Sequence, residues 1–439
     1  MTVAKVDEPA PSSSSVQQSE ELTAAAESRA ELAVSPELVA GSVSEYLRAS
    51  LSRIRAGQVG VLPVVGGLLL VSVLFQSLNG HFLTAGNLVN LLVQAAVFSV
   101  LAMGEVYALL LGEIDLSIGY VAGLSGVVLA ELLKPSGLDW PWWAAILVAL
   151  LVCAAIGALQ GSLVTRVGLP SFVVTLAGLL FWQGVMLKIL GNGGSVLISN
   201  TVVNDIASGN LSPIAGWVAM LATVGVFGVL SWRRDARRRA AGLVAPPLGL
   251  TALKIGGGLL GGVVIVLICN TDRGRILPIQ GVPWVVLLVF GILAVWTFVL
   301  GRTRFGRYVY AIGGNAEAAR RAGVNLALIR TIAFTLCSFT AGLAGVIYAS
   351  RLRSISTAFD GGTLVLYAVA AAVIGGTSLF GGRGKALHGV LGGVVIAGIA
   401  NGMGLLNMSA ASQYMVTALV LLVAVTIDAL TRRGRVAGT

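Results

Sequence analysis

Twelve apolar segments fill residues 59–430 of this chain, at 59–78, 87–111, 116–133, 141–164, 170–190, 213–232, 250–269, 283–301, 331–350, 364–380, 386–406 and 412–430. Each comes near the ~20 residues that a helix needs to cross the ~30 Å hydrocarbon core of a bilayer. The segment at 364–380 is the shortest, so about 10–12 crossings are expected. A water-soluble fold cannot hide so much apolar surface: 56% of the residues are hydrophobic and 11% charged, where soluble chains carry roughly a quarter charged. The fold class expected is an all-α membrane protein, a polytopic helical bundle. Its 57 glycines, many inside the segments, suit close helix packing in lipid, where backbone approach replaces hydrophobic drive.

The placement of positive charge then sets orientation. With the amino terminus inside, 20 Lys and Arg fall on the inner face, among them Arg166, the run Arg233 to Arg239, Arg320, Arg321, Arg383 and Arg432; 6 fall outside, Lys134, Lys188, Arg273, Arg275, Arg351 and Arg353. The 20:6 split supports both termini being cytoplasmic, and one missed crossing would invert every later loop. The net charge of +10 therefore reads as membrane orientation, and no nucleic acid partner is expected. The contacts expected are with membrane lipid and with other proteins.

Three regions follow along the chain. Residues 1–57 carry the Ser12 to Ser15 run and eight of the nineteen acids and read as a polar, mostly disordered cytoplasmic tail. A helix start at Ser35-Pro36-Glu37 opens either a short interfacial helix or a solvated linker helix. Residues 58–431 form the transmembrane domain, and 432–439 a basic cytoplasmic end.

Most reactive chemistry is excluded. Cys153, Cys269 and Cys337 lie far apart in apolar stretches, and there are two histidines, His81 and His388, too few for a convergent zinc site. Gly256-Gly-Gly-Leu-Leu-Gly261 matches a dinucleotide pattern but lies inside a span after no strand. Gly384-Lys385 lacks the rest of a phosphate loop, because position 379 is Leu and 386 is Ala. No catalytic residue, metal or cofactor is expected on this chain.

Two stretches carry the functional signal. Gly112-Glu-Ile-Asp-Leu-Ser-Ile-Gly119 sets two carboxylates among membrane residues, where a charge costs ~2.5–3.5 kcal/mol on insertion scales. Asp115 and Ser117 can cap the following helix; the stretch is either a broken helix beside a substrate path or a capped interfacial loop. Glu105 stands in mid-span with no partner evident. The second stretch begins at Gly301. Asn315 is positioned to cap a short helix from Ala316 to about Ala322, with Glu317 in its first turn and Gly323 ending it in a left-handed turn. A short capped helix on the inner face suits docking into a groove of a partner.

On these residues the chain resembles the membrane-spanning permease subunits of bacterial sugar ABC importers of the ribose and xylose type. The resemblance runs over nearly all the spans. It rests on Glu113-Ile-Asp-Leu-Ser-Ile-Gly119, Leu169-Pro-Ser-Phe-Val-Val-Thr-Leu-Ala-Gly178, Tyr310-Ala-Ile-Gly-Gly-Asn-Ala-Glu-Ala-Ala-Arg320, Val373-Ile-Gly-Gly-Thr-Ser-Leu379 and the region of Asn401 to Met403. The basic stretch from Trp232 to Leu243, with Asn270-Thr-Asp-Arg-Gly274, is most similar to the xylose-type members. The resemblance implies a permease homodimer in the bacterial cell membrane, an ATP-binding subunit inside and an extracytoplasmic sugar-binding protein. It assigns contact with the ATPase to Gly314, Asn315, Glu317, Ala318, Ala319 and Gly323, and a place beside the pathway to Asp115, Ser117, Ser171 and Asn401. The function expected is import of a monosaccharide, a pentose such as xylose, by alternating access. The competing class is an ion-coupled secondary transporter of a small polar solute, which would use Glu105, Glu113 and Asp115 as relays. A membrane-embedded enzyme is disfavoured because no cluster of His, Cys or carboxylate converges at an aqueous face.

Overall fold

The computed structural model of the chain describes residues 44, 45, 48, 61–274 and 278–436. The acidic tail, apart from Ser44, Glu45 and Arg48, lies outside the described residues, and with it most of the helix expected from Ser35. So do residues 437–439 of the basic end.

The described chain is helical almost throughout. In order, α1 is Val61–Leu78, α2 Ala85–Leu110, α3 Ile118–Leu132, α4 Trp142–Ser162 (prolonged by a π-helical turn, Leu163–Val167), α5 Ser171–Leu190, β1 Ser195–Leu197 and α6 Thr201–Ser208. There follow α7 Pro213–Ala240, α8 Leu248–Asn270, α9 Trp284–Arg302, α10 Arg304–Gly314, α11 Ala316–Arg321, α12 Leu326–Leu352, β2 Ser354–Ser356, α13 Gly361–Ile374, α14 Ala386–Leu405 and α15 Ala410–Val436. Among the described residues eight helices are long and apolar enough to cross a membrane: α2, α4, α5, α7, α8, α9, α12 and α14. Four shorter apolar helices, Val64–Leu78, Ile118–Leu132, Gly361–Ile374 and Ala410–Val423, occupy the other four expected positions.

The chain divides into two compact units. In the smaller, residues 221–261 form a helical hairpin. Arg234 Nε and the Thr251 hydroxyl both donate to the Asp235 carboxylate, at 2.9 and 2.8 Å, and the Thr251 bond ties α7 to α8. The run Arg233 to Arg239, expected as a loop, instead continues α7 to Ala240. Arginine is a strong helix former, and no breaker intervenes before Gly242, whose φ of +67° ends the helix.

The larger unit, residues 59–220 and 262–439, is built round α2, α3, α12, α13 and α14. The α2 helix is apolar all round, and its stretch from Ala95 to Leu110 is buried save Phe98. In α3 twelve of fifteen residues are buried. Glycines let these helices touch: a β-carbon on Gly345 would overlap the Ala122 carbonyl, and one on Gly392 the Ala371 carbonyl. Peripheral helices turn large side chains outward, such as Leu180 and Phe181 on α5 and Phe298 on α9, as lipid-facing surfaces do.

Loop contacts test the crossing pattern. One set joins 111–117, 163–170, 303–325 and 375–385 with their flanking helix ends. Gly382 N donates to Leu110 O at 2.8 Å, the Tyr310 hydroxyl to Gly384 O at 2.7 Å, and the Ser171 hydroxyl to Glu113 Oε2 at 2.5 Å. The other set joins 79–84, 191–212, 271–283, 353–360 and 406–409. Here β1 pairs antiparallel with β2 through Val196 and Ile355, Leu211 N donates to Val282 O at 2.9 Å, and the Tyr414 hydroxyl to Asp360 at 3.0 Å. Each of these bonds stays within its own set, as strict alternation through these helices requires.

Which set faces the cytoplasm is open to thiol labelling. The native cysteines are buried and should stay silent. A membrane-impermeant maleimide is expected to label Thr357→Cys in right-side-out vesicles, and Arg321→Cys only after permeabilisation. Labelling of both from one face would refute the alternation.

Candidate functional site

The first loop set forms a continuous structure. Thr303 opens α10, its hydroxyl accepting from Gly306 N at 3.2 Å. Gly306, Val309 and Ile312, spaced by three, make the buried face, while Arg304 and Arg307 are exposed. The helix therefore lies along the surface of the unit. Phe305 sits 6.2 Å from the buried Tyr107 ring. At its end Gly313 fits where no side chain could: a β-carbon would overlap Leu110 O and come within 2.5 Å of Gly382 N. With the Tyr310 bond to Gly384, this fastens α10 to the end of α2 and to the loop before α14.

The next helix follows from its local sequence. Asn315 is extended (φ −157°, ψ 100°), and its side-chain oxygen accepts from Ala318 N at 2.9 Å. Glu317, in the first turn, pairs with Arg320 at 2.9 Å and Arg321 at 3.1 Å. Ala319 is buried and anchors the turn. Gly323 adopts φ +81°, and its N–H and that of Val324 close back onto Arg320 O and Ala319 O, at 3.0 and 3.1 Å. This is the paired closure that left-handed glycine permits. Gly314, Asn315, Glu317, Ala318 and Gly323 remain exposed.

The acidic loop 111–117 packs beneath. Asp115 Oδ1 accepts from Ser117 N at 2.9 Å and lies 2.6 Å from the Ser117 hydroxyl, which also lies 3.0 Å from Gln160 Oε1. One hydroxyl proton serves one of these acceptors at a time. Asp115 thus caps the turn before α3, but Ser117, at the cap position, accepts no backbone N–H. Glu105 finds its partners in the same place: its Oε1 accepts from Asp115 N at 3.2 Å, and the Cys337 thiol stands 3.9 Å from Oε2. Glu105, Asp115 and Ser117 have no solvent exposure. Glu113 points the other way, to Ser171 and, at 3.7 Å, to Arg330.

Of the residues expected beside a pathway, Asp115, Ser117 and Ser171 thus belong to one loop environment. Asn401 does not. Its side-chain oxygen accepts from Asn87 Nδ2 at 2.8 Å, at the start of α2, whereas Asp115 follows that helix's end, about 35 Å further along at 1.5 Å per residue. The links through Tyr310, Gly313 and Arg330 were not read from the sequence. The doublets Gly313-Gly314 and Gly381-Gly382 were their only signal. Among the described residues no group of three or more His, Cys, Asp or Glu side chains converges to hold a metal ion.

Residues 87–425 match the family described as branched-chain amino acid transport system / permease component. The chain is 35% identical over 377 residues to the xylose transport system permease protein of Escherichia coli (strain K12), covering 85% of this chain and 92% of that protein. It is 32% identical over 361 residues to the ribose import permease protein of the same strain, covering 82% and 91%. To the D-allose transport system permease protein of that strain it is 29% identical over 364 residues, covering 83% and 90%. No solved structure matches the chain.

Proposed function

The chain belongs to the family of transport-system permease components, and from that premise we propose that it is the membrane-spanning subunit of an ATP-driven importer of monosaccharides. Relatives named for xylose, ribose and allose support the sugar class, and the xylose-type likeness favours a pentose. It is a multi-pass protein of the bacterial cell membrane. ATP hydrolysis belongs to a separate subunit and sugar capture to an extracytoplasmic binding protein; two permease copies, embedded in lipid, complete the assembly.

One observation carries the mechanism: the capped helix α11, exposed at its tip, is continuous with α10, which is fastened to the loops after α2 and before α14. A push on Asn315, Glu317, Ala318 and Gly323 by an ATPase is passed to those loops through the junction at Gly314 and Asn315 and along α10. Ala319 holds the helix down, and Gly314 joins it to α10. Two packings of the loops are then the alternating-access states that ATP binding biases. The sugar is neutral, so translocation needs no charged relay. In this reading Asp115, Ser117 and Ser171 brace the moving loop, and Asn401 stands at the far end of the same helical group.

ATP-dependent pentose uptake in vesicles holding all subunits tests the proposal. Uptake that collapses with a protonophore and persists without ATP would favour the ion-coupled class. Within the importer, Glu317→Arg is expected to lose coupling, with uptake down on the order of tenfold. Exposed ion pairs stabilise by only ~0.2–1 kcal/mol, so the fold survives while the docking face gains positive charge. Unchanged transport in that variant would sink the coupling assignment.

A further inference from the structure

We propose that a small cavity at the opposite end of the larger unit, lined by Gln94, Tyr348, Arg351, Asp360, Tyr367 and Tyr414, is a binding site for a single monosaccharide. The inference rests on the importer reading only for which sugar to offer it. The cavity measures about 260 Å³. Ligand clefts run from ~300 Å³ upward for drug-sized molecules, so this one suits one sugar ring and excludes an oligosaccharide.

Its walls combine the two features that polyols need. Aromatic faces come from Tyr348, Tyr367 and Phe98, held by edge contacts of Tyr348 with Phe359 at 4.9 Å and of Phe98 with Tyr367 at 5.1 Å. Unspent polar groups lie among them. Arg351 is half-buried, yet its five N–H donors meet no acceptor among the described residues. The Tyr348 hydroxyl and the Gln94 amide likewise have no partner there. None of these atoms is sealed from water, so a polyhydroxylated ligand would take the place of water on donors and acceptors that the protein leaves open to the cavity.

The rim is already braced. Asp360 caps α13 through Thr363 N at 3.0 Å and accepts from the Thr363 and Tyr414 hydroxyls at 2.5 and 3.0 Å. Partial burial works against ionisation of Asp360, but these bonds outweigh it and hold the carboxyl below its usual range. An anionic Asp360 offsets the Arg351 charge, so the cavity carries no net charge and fits a neutral sugar better than a sugar acid or phosphate. It lies among the second loop set, away from α10 and α11, where a sugar-delivering partner would meet the chain. The larger cavity, about 840 Å³, is walled mainly by apolar side chains such as Leu287, Leu288 and Trp296 and offers a sugar almost nothing to bond.

The test uses D-xylose as probe. Saturation-transfer NMR on the purified full-length chain in nanodiscs is expected to show transfer to the sugar, falling by about tenfold or more in Arg351→Gln/Tyr348→Phe as bonds to a charged and a neutral donor are lost. Gln94→Leu, on another helix, is read alongside, so misfolding of the first variant does not protect the idea. In vesicles with all subunits, the double variant is expected to import about tenfold less xylose per ATP hydrolysed. Equal transfer in wild type and both variants, or unchanged import per ATP, would overturn the site. Transfer that depends on these residues, together with no ATP-driven uptake by the wild type, would instead overturn the importer reading and support the cavity as a sugar site.

Discussion

Gly313→Ala is expected to reduce sugar uptake to background, far below the uptake of Gly314→Ala. The two glycines are adjacent, and chain propensity treats them alike. Their surroundings do not. A β-carbon on Gly313 would overlap Leu110 O and crowd Gly382 N, whereas one on Gly314 meets nothing within 4 Å. The neighbours of Gly313 are backbone atoms joined by the hydrogen bond from Gly382 to Leu110, so they cannot turn aside as a long side chain would. Overpacking of this kind costs ~1–3 kcal/mol, up to about a hundredfold in the population of the docked arrangement. The ATPase should still bind, because α11 is untouched, but its stroke would no longer reach the loops. Uptake per ATP hydrolysed, measured on complexes of equal composition, is the readout. Wild-type uptake in Gly313→Ala would mean that the α10 junction does not transmit the stroke.

Much of this arrangement is legible in the sequence. The helical segments announce themselves by length and apolarity, and Asn315, Glu317 and Gly323 spell out a helix with its beginning and end, because caps are local chemistry. What stayed hidden is long-range. Arg233 to Arg239 looks like a loop because charge marks membrane exit, yet charge does not stop a helix, and Gly242 does. The expected crossing at 364–380 overran its end, since Ile374 is the last helical residue and Gly375-Gly376 turn the chain. Asn401 was grouped with Asp115 by family pattern, although spacing along one strand of sequence cannot say which end of α2 each one meets. Glu105 lacked a partner in the sequence because its partner is the main-chain N–H of Asp115, ten residues on, which no side-chain pattern encodes. The cavity at Arg351 was equally invisible: Gln94, Tyr348 and Tyr414 come from three helices distant in the chain.

The second large effect concerns Asp115, and two substitutions separate its possible duties. Asp115→Asn keeps an oxygen at the Oδ1 position, so Ser117 N–H and the Ser117 hydroxyl retain their acceptor and the turn into α3 stands. Asp115→Ala removes it and strands the Ser117 N–H in a site without solvent exposure, while the hydroxyl can turn to Gln160 Oε1. An unsatisfied buried group costs ~1–3 kcal/mol, and a bond to a charged acceptor is worth ~1.5–3 kcal/mol, so about 3 kcal/mol is at stake in the turn. Against this, the alanine relieves the burial of a carboxylate that has one unpartnered oxygen, Oδ2. Asparagine also removes the charge but sets an amide NH2 at the unpartnered Oδ2 position, so the difference between the two variants is a lower bound on what the turn contributes. The expected result is near-wild-type melting and uptake for Asp115→Asn, and for Asp115→Ala a lowered melting temperature of the purified chain with most uptake lost. The loss of uptake follows because loop 111–117 directly follows Leu110, where α10 is fastened. If instead asparagine abolished uptake at unchanged melting temperature, the carboxylate charge itself would be required, and Asp115 would act in translocation rather than as the brace of the turn.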